Sequence, residues 1–376
     1  MAKHKKEKRD ESISMHWDFL KQYLNNPSPT GFEKEGQKLW LEYVKPYVDD
    51  YIVDPYGSVA AIINPEAQFK VVIEAHADEI SWFVNYITPE GLIYVIRNGG
   101  SDQQIAPSKR VHIHTEKGIV KAVFGWPAIH TRNRSNDNKE PQPKVENIFL
   151  DCGARSRKEV EELGIHVGCV VTFEDSYDEL AYDHIVGRAL DNRVGGFMIA
   201  EVARLLSEHQ HAGKSEKKHL PFALYIVNAV QEEVGLRGAE MMARRIKPHA
   251  AIITDVTHDT TTPMINKNIE GEILSGKGPV ITYGPAVHHT LRDLIIQTAK
   301  KQEIPYQLAA VSRSTGTDTD AFAYANDGTP SALISLPLRY MHTTVEMVSK
   351  KDIAYTIQLI YHSLLQLKPD MNFRYF

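Results

Sequence analysis

Five apolar runs in this sequence end in Asp, Glu or His, and together those ends hold the residue types of a metal-dependent hydrolytic site. The first is Val71-Val72-Ile73-Glu74-Ala75-His76-Ala77-Asp78. His76 and Asp78 are two apart, so both point to one side of an extended chain, where a carboxylate can orient a metal-bound imidazole. In the second, Leu190-Asp191-Asn192 precedes the pair Gly195-Gly196. Asp191 there is either a ligand or a helix cap, and on its own the cap is the better reading. The third is the most informative: the apolar run 224–230 passes into Gln231-Glu232-Glu233. Adjacent carboxylates after a buried strand are costly without compensation. Their side chains diverge, so one can bind a metal while the other handles protons. The fourth run, Ile252-Ile253-Thr254-Asp255, puts an acid where a strand runs out, and the fifth places His342 shortly after Leu336-Pro337. Alone, each of these is a turn or loop residue. Together they form the ligand set of a divalent ion such as Zn²⁺ or Co²⁺. A catalytic ion typically uses three protein ligands, so this set suits two ions that share a carboxylate and lie roughly 3.5–4 Å apart.

The remaining candidates are weaker. His112 and His114 make an HxH on a strand with no acid beside them on that strand, which argues against a metal role. His288-His289 either line the site or cap a helix. His209, His211 and His219 fall in a Lys-rich polar loop at 209–219 and read as solvated. Cys152 and Cys169 are too far apart for a metal knuckle and read as buried, inert thiols.

The elements that must carry these residues follow a simple order. Trp17, Leu20 and Leu24 have helical spacing, and Thr30 with Glu33 reads as a capping box ahead of a second helix. Short apolar strands follow at 59–63 and 71–73. From 81 to 180 the texture becomes β-rich, with one short helix near 158–163 and a polar Pro/Asn-rich loop at 131–144. Helices and buried strands then alternate to the end. The pattern is one α/β domain interrupted by a β module. The expected boundaries are a disordered basic tail at 1–14, the α/β domain at 15–80 and 181–376, and the insert at 81–180.

Composition narrows the function. The chain has 376 residues, 42 % of them hydrophobic, and a net charge of −5, which is ordinary for a globular protein and gives no footprint for nucleic acid or anionic lipid. No run approaches the roughly 18 apolar residues of a membrane helix. The basic first residues lack the apolar stretch of a secretory signal, and two cysteines in such a length suit a reducing cytoplasm.

Taken in order, these motifs resemble the M42 metallo-aminopeptidases, a family that includes glutamyl aminopeptidases, the tetrahedral aminopeptidases and proteins labelled endoglucanase M. The residues that carry the resemblance are AHADEI at 75–80, GRALDNRVGG at 187–196, VQEEVGLRGA at 230–239, TDV at 254–256 and RYMHTTVEM at 339–347. Softer matches are SPTGFE at 28–33, DPYGSVAA at 54–61 and DCGARSRKEVEELGIHVG at 151–168. The resemblance implies a three-layer, mixed-sheet α/β domain of the zinc-exopeptidase type, interrupted by a PDZ-like or barrel-like dimerisation insert. It also implies roles. His76, Asp191 and Asp255 would hold one ion, and Asp191, Glu233 and His342 the other. Glu232 would be the general base, Asp78 would orient His76, and the Asp191–Asn192 peptide would be cis. Thr319-Asp320-Ala321 matches a segment near the substrate, although Thr317-Asp318 repeats its first two residues.

The implied activity is removal of N-terminal residues from short peptides by a cytoplasmic homo-oligomer built from dimers, up to a tetrahedral dodecamer. A metal-dependent deacylase of N-acyl amino acids is the alternative on the same site. A glycosidase has no need of two His and a bridging Asp, and a scaffold with a structural metal has no need of Glu232.

Overall fold

The computed structural model describes residues 14–132, 141–212 and 220–376. The tail expected at 1–14, the middle of the 131–144 loop and most of the 209–219 loop with His219 lie outside the described residues. Residues 209–212 are helical rather than loop, because the long helix that precedes them continues to Ala212.

Helices α1 (Trp17–Asn25) and α2 (Lys34–Val44) open the fold, followed by strands β1 (Asp50–Val53), β2 (Val59–Ile63) and β3 (Lys70–His76). The expected capping box does not start α2. Glu33 is the N-cap and makes no side-chain cap bond; its Oε1 accepts from the Gly31 N–H at 2.7 Å. Thr30 donates its hydroxyl to Asp78 Oδ2 at 2.9 Å, because a buried carboxylate is a stronger acceptor than any competing backbone group.

The chain then leaves the sheet for six strands: β4 (Ser81–Ile87), β5 (Ile93–Asn98), β6 (Arg110–Thr115), β7 (Gly118–Gly125), β8 (Phe149–Asp151) and β9 (Val170–Phe173), with α3 (Arg157–Glu162) before β9. They close a barrel in the order β4-β5-β8-β7-β6-β9 around its own core, in which Trp82, Phe124, Ile93 and Leu150 are fully buried. Closure leaves no unpaired edge, as a small β module requires. Strands β10 (Asp178–Leu180) and β11 (His184–Gly187) lead back to the helical layer.

The second half alternates as expected. It comprises α4 (Leu190–Ala212), β12 (Ala223–Ala229), α5 (Arg237–Ile246), β13 (Ala250–His258), α6 (Lys267–Glu270), β14 (Val280–Tyr283), α7 (His289–Lys301), β15 (Gln307–Ala310), α8 (Thr319–Ala323), β16 (Ser331–Leu338), β17 (Glu346–Ser349) and α9 (Lys350–Leu364). The central sheet is mixed, in the order β1-β2-β12-β3-β13-β16-β14-β15, and β10, β11 and β17 make a separate three-stranded sheet. Odd-numbered residues of β3 (Val71, Ile73, Ala75) pack with α1, α2, α4, α7 and α9, while Val72 packs with α5 and Phe322 of α8. The architecture is therefore three-layered, helices on both faces of one mixed sheet. No helix among the described residues is long and apolar enough to cross a membrane.

Some local readings need correcting. Cys169 is buried as expected, but Cys152 is only partly so, and both are free. His288 and His289 do not line the metal-type cluster. They sit at the start of α7, where His288 stacks on Tyr375 at 4.5 Å.

Candidate metal centre

Strand parity and register bring the ligands together. Strands β3 and β13 are parallel, with Glu74 opposite Ile253. Two residues further along, His76 and Asp255 stand level and on the sheet face that carries α5 and α8. Strand β12 is parallel to β3 on its other side and ends with Ala229 opposite His76, so the turn that follows delivers Glu232 and Glu233 beside the imidazole. Strand ends of an open α/β sheet are where such sites form.

Asp191 arrives from the start of α4. The peptide Asp191–Asn192 is cis, and both residues have non-helical backbone angles. Asn192, not Asp191, caps the helix: its Oδ1 accepts from the Gly195 N–H at 3.2 Å. The Asp191 carboxylate is left for other partners, which settles the cap-or-ligand alternative against the cap.

The result is a single cavity of about 590 Å³ lined by His76, Asp191, Glu232, Glu233, Asp255 and His342. His76 Nε2 lies 3.3 Å from Asp191 Oδ1 and 3.8 Å from both Glu232 Oε2 and Asp255 Oδ1. His342 Nε2 lies 3.3 Å from Asp191 Oδ2 and 3.5 Å from Glu233 Oε1. Three groups have ligand atoms within 4.8 Å of one another: His76/Asp191/Asp255, Asp191/Glu233/His342 and His76/Glu232/Glu233. The two carboxylate oxygens of Asp191 face the two histidines, one each.

Asp78 is fully buried behind this cluster. Its Oδ1 lies 3.4 Å from His76 Nδ1 and accepts from the Glu232 N–H at 3.0 Å, while Oδ2 accepts from the Glu233 N–H at 3.2 Å. It therefore holds the turn that carries both glutamates as well as facing the imidazole.

The electrostatics fit divalent cations. No Lys or Arg lines the cavity. Burial pushes the Glu232 carboxyl up to about 9, His76 opposing and the Asp318, Glu233 and Asp191 carboxylates adding to the rise. Burial likewise lifts Asp255 well above the usual carboxylate range. Burial disfavours charge on His342, but hydrogen bonds to Asp191 and Glu233 outweigh it and lift the imidazole to about 11. A cluster neutralised only by protons takes this form, with imidazolium rings around an ionised Asp191, whose carboxyl they hold low, and raised acids beside it. Divalent ions are the other means of neutralising it, and imidazole nitrogen with carboxylate oxygen is the donor set of Zn²⁺ and its neighbours.

Three features went unread in the sequence. Glu346 is buried, and its two oxygens accept from the backbone N–H groups of Asp191 (3.1 Å) and His342 (2.8 Å), tying two ligand segments together. Its only sequence signal was its place four residues after His342. Glu74 and Asp318 form a buried carboxyl pair behind His76, and burial raises both acids. That pairing resolves the repeated Thr-Asp motif: Asp318 is buried against Glu74, and Asp320 lines the cavity. The third is the barrel's contribution, taken up below. His112 and His114 turn instead to Glu174 (3.6 Å) and Thr172 (2.9 Å), outside the cluster.

Comparison with known proteins agrees with this geometry. A family model described as M42 glutamyl aminopeptidase matches residues 57–359. A lysyl aminopeptidase of Pyrococcus furiosus is 33 % identical over 356 residues, 94 % of this chain and 98 % of that protein. The structure of a TET aminopeptidase from a marine sediment archaeon, Thaumarchaeota archaeon SCGC AB-539-E09, superposes with a TM-score of 0.86 at 30 % identity, covering 93 % of this chain and 96 % of the other. A Pyrococcus horikoshii TET1 peptidase, described as able to assemble into a tetrahedron or a large octahedral shell, gives 0.80 at 26 % identity over 93 % and 99 %.

Proposed function

Because the chain belongs to the M42 family of aminopeptidases and is a hydrolase of that kind, we propose that it is a co-catalytic dinuclear enzyme that removes N-terminal residues from short peptides. The supporting observation is the pair of ligand groups that meet at Asp191; Glu232 lies outside both and belongs only to a third grouping, which draws one residue, His76 or Glu233, from each. His76, Asp191 and Asp255 would hold one divalent ion and Asp191, Glu233 and His342 the other, Zn²⁺ or Co²⁺ being the best match to the donors. When bound, such ions supply Lewis-acid polarisation and acidify water toward neutral pH.

The chain's own residues do the rest. Glu232 takes the proton of the attacking water and returns it to the leaving amine. Asp78 orients His76 and fixes the backbone on which Glu232 rides. Asp320, a further cavity acid outside both ligand groups, would receive the substrate's free α-amine.

The working form is proposed to be a homo-oligomer in the cytoplasm, with barrel-mediated dimers as its unit and a tetrahedral dodecamer as its largest form. The shell described for the P. horikoshii relative and the exposed Ile96, Ile119 and Val123 on the barrel support the assembly. The two free thiols support a reducing compartment. Sedimentation showing only monomer in the metal-loaded protein would overturn the assembly.

The catalytic reading is tested by turnover of aminoacyl-p-nitroanilides against their N-acetylated counterparts, with and without chelator. Chelator-sensitive cleavage of the free-amine set alone is expected. Cleavage of the acetylated set would replace the reading with a deacylase, and no cleavage of either would end both.

A further inference from the structure

We propose that the barrel insert supplies part of the metal centre itself: the turn Asn98-Gly99-Gly100, which ends β5, is the rigid seat for Glu233 and His342. The inference rests on the dinuclear reading above and concerns residues that act through the ligands, so Gly99 and Gly100 are positioning residues.

Gly100 abuts the Nδ1–Cε1 edge of the His342 imidazole. A Cβ built there would stand 2.5 Å from Nδ1 and 2.6 Å from Cε1, distances that no side chain tolerates against a planar ring. Of the two ring atoms met, Cε1 is bonded to Nε2, the atom that faces Asp191 and Glu233. Gly99 has φ +75°, which glycine adopts freely, and a Cβ there would stand 3.1 Å from Cβ of Glu233. Adjacent barrel residues thus abut one ligand each of the same ion group. The seat is fixed from behind. Asn98 Nδ2 donates to Thr30 O (2.8 Å) and to Ser81 Oγ (2.8 Å), and Ser101 Oγ donates to Ser81 O (2.6 Å). Thr30 in turn donates to Asp78, the residue that holds the Glu232–Glu233 backbone. A second barrel contact reaches the same loop: Lys109 Nζ bridges Asp175 (3.2 Å) and the Thr344 hydroxyl, two residues beyond His342.

The other ion group is tied to the seat only at second hand, through Thr30 and Asp78, which faces His76, and through the shared Asp191. His76 and Asp255 are on β3 and β13, held by strand pairing within the central sheet. The inference is therefore selective. Disturbing the seat weakens the ion held by Glu233 and His342 and spares the one held by His76 and Asp255.

The test is a zinc titration of the chelator-treated, full-length protein by calorimetry, with Co²⁺ absorption as the second readout. Wild type is compared with Gly100→Ala and Gly125→Ala. Gly125→Ala is the control, because its Cβ would meet the Phe149 ring at 2.5 Å within the barrel, away from the ligands. Two binding steps in wild type and Gly125→Ala, with one step weakened about 10–100-fold in Gly100→Ala, is the expected result. Two unchanged steps in Gly100→Ala would overturn the seat, and so would equal weakening in the control. A wild type that binds fewer than two ions would instead overturn the dinuclear reading.

Should Gly100→Ala fail to fold, a stability cycle in metal-free protein answers the same question. The Gly100→Ala/His342→Ala double variant removes the ring that the new Cβ meets. Recovery of folding in that background supports the seat, and no recovery places the fault elsewhere in the barrel and overturns it.

Discussion

The two halves of the proposed metal centre use the same donor chemistry on different supports. His76 and Asp255 are members of β3 and β13, inside the central sheet, and are almost wholly buried. Glu233 and His342 stand on turns. Gln231 and Leu236 flank the first turn at φ +59° and +61°, and His342 itself has φ +60°, with its side chain 34 % exposed. Ladder hydrogen bonds hold one half. The other depends on single contacts: Asp78 to the Glu233 N–H, Glu346 to the His342 N–H four residues before it, and the barrel turn against both side chains. Asp191 joins the halves and shares Glu346 with His342. A strand position is set by many cooperative bonds, whereas a turn position can be lost with one. The turn-borne half is thus the natural place for weaker or exchangeable metal binding.

The largest expected effect separates chemistry from support. Glu232 rides on the same turn as Glu233 and belongs to neither ion group in the proposed assignment. Glu232→Gln should keep two bound ions and lose roughly 10²–10⁴-fold in kcat, the range of general acid–base catalysis. Metal content and kcat measured on one sample check it. A variant with near-normal kcat would remove Glu232 from the role of base.

The next test addresses the contrast directly. His342→Ala should lose one ion and keep the strand-borne one, with little change in melting temperature of the metal-free protein. His76→Ala should lose the strand-borne ion and also weaken the other, since the imidazole neighbours Asp191 and Glu232 as well as Asp255. Equal behaviour of the two variants would mean that support does not matter and the contrast is only descriptive. A smaller effect is expected of Glu346→Gln. Its carboxylate holds two backbone N–H groups and belongs to neither proposed ligand group, so the turn-borne step should weaken about 10–100-fold while the strand-borne step stays put.

The same contrast governs how much the sequence reveals. His76, Glu232, Glu233 and Asp255 each follow an apolar run, so local patterning marks them, and an α/β domain with a β insert follows from the same alternation, whereas its mixed-sheet, three-layer form comes from the resemblance. The motifs around Asp191 and His342 needed the family resemblance, because alone they read as a cap and a loop histidine. Glu346, Asp318 and the Gly99-Gly100 turn were not legible as site residues. Their roles arise from contacts across long stretches of chain: Glu346 meets Asp191 from 155 residues away. Strands β14 and β15, half of them exposed or short, carry little periodic signal, and the three-stranded sheet joins residues from 178 to 349. The capping box failed for the same reason: Thr30 found a buried carboxylate that no local rule could place.

Per pH unit, the smallest expected effect lies in the support that both halves share. Glu33 is buried, and burial, followed by the nearby Asp78 charge, pushes its carboxyl from 4.5 up to about 8. The folded protein therefore binds this proton more tightly than the unfolded chain does. For an acid raised in this way the stabilisation is complete below the unfolded value near 4.5 and is lost as pH rises toward about 8. Over that window this one group makes stability fall by up to about 1.4 kcal/mol per pH unit. Glu33→Gln carries no titrating proton, and its amide oxygen can still accept from the Gly31 N–H. Denaturant unfolding of the metal-free proteins from pH 5 to 8.5 should show a shallower decline in the variant, whose relative stability improves as pH rises. Parallel curves would mean that Glu33 is ionised in the folded state and that Asp78 carries its three donated hydrogen bonds beside a second buried charge. The common anchor of both halves would then be under electrostatic load, and the turn-borne half, which depends on Asp78 for the Glu233 backbone, would be the first to register it.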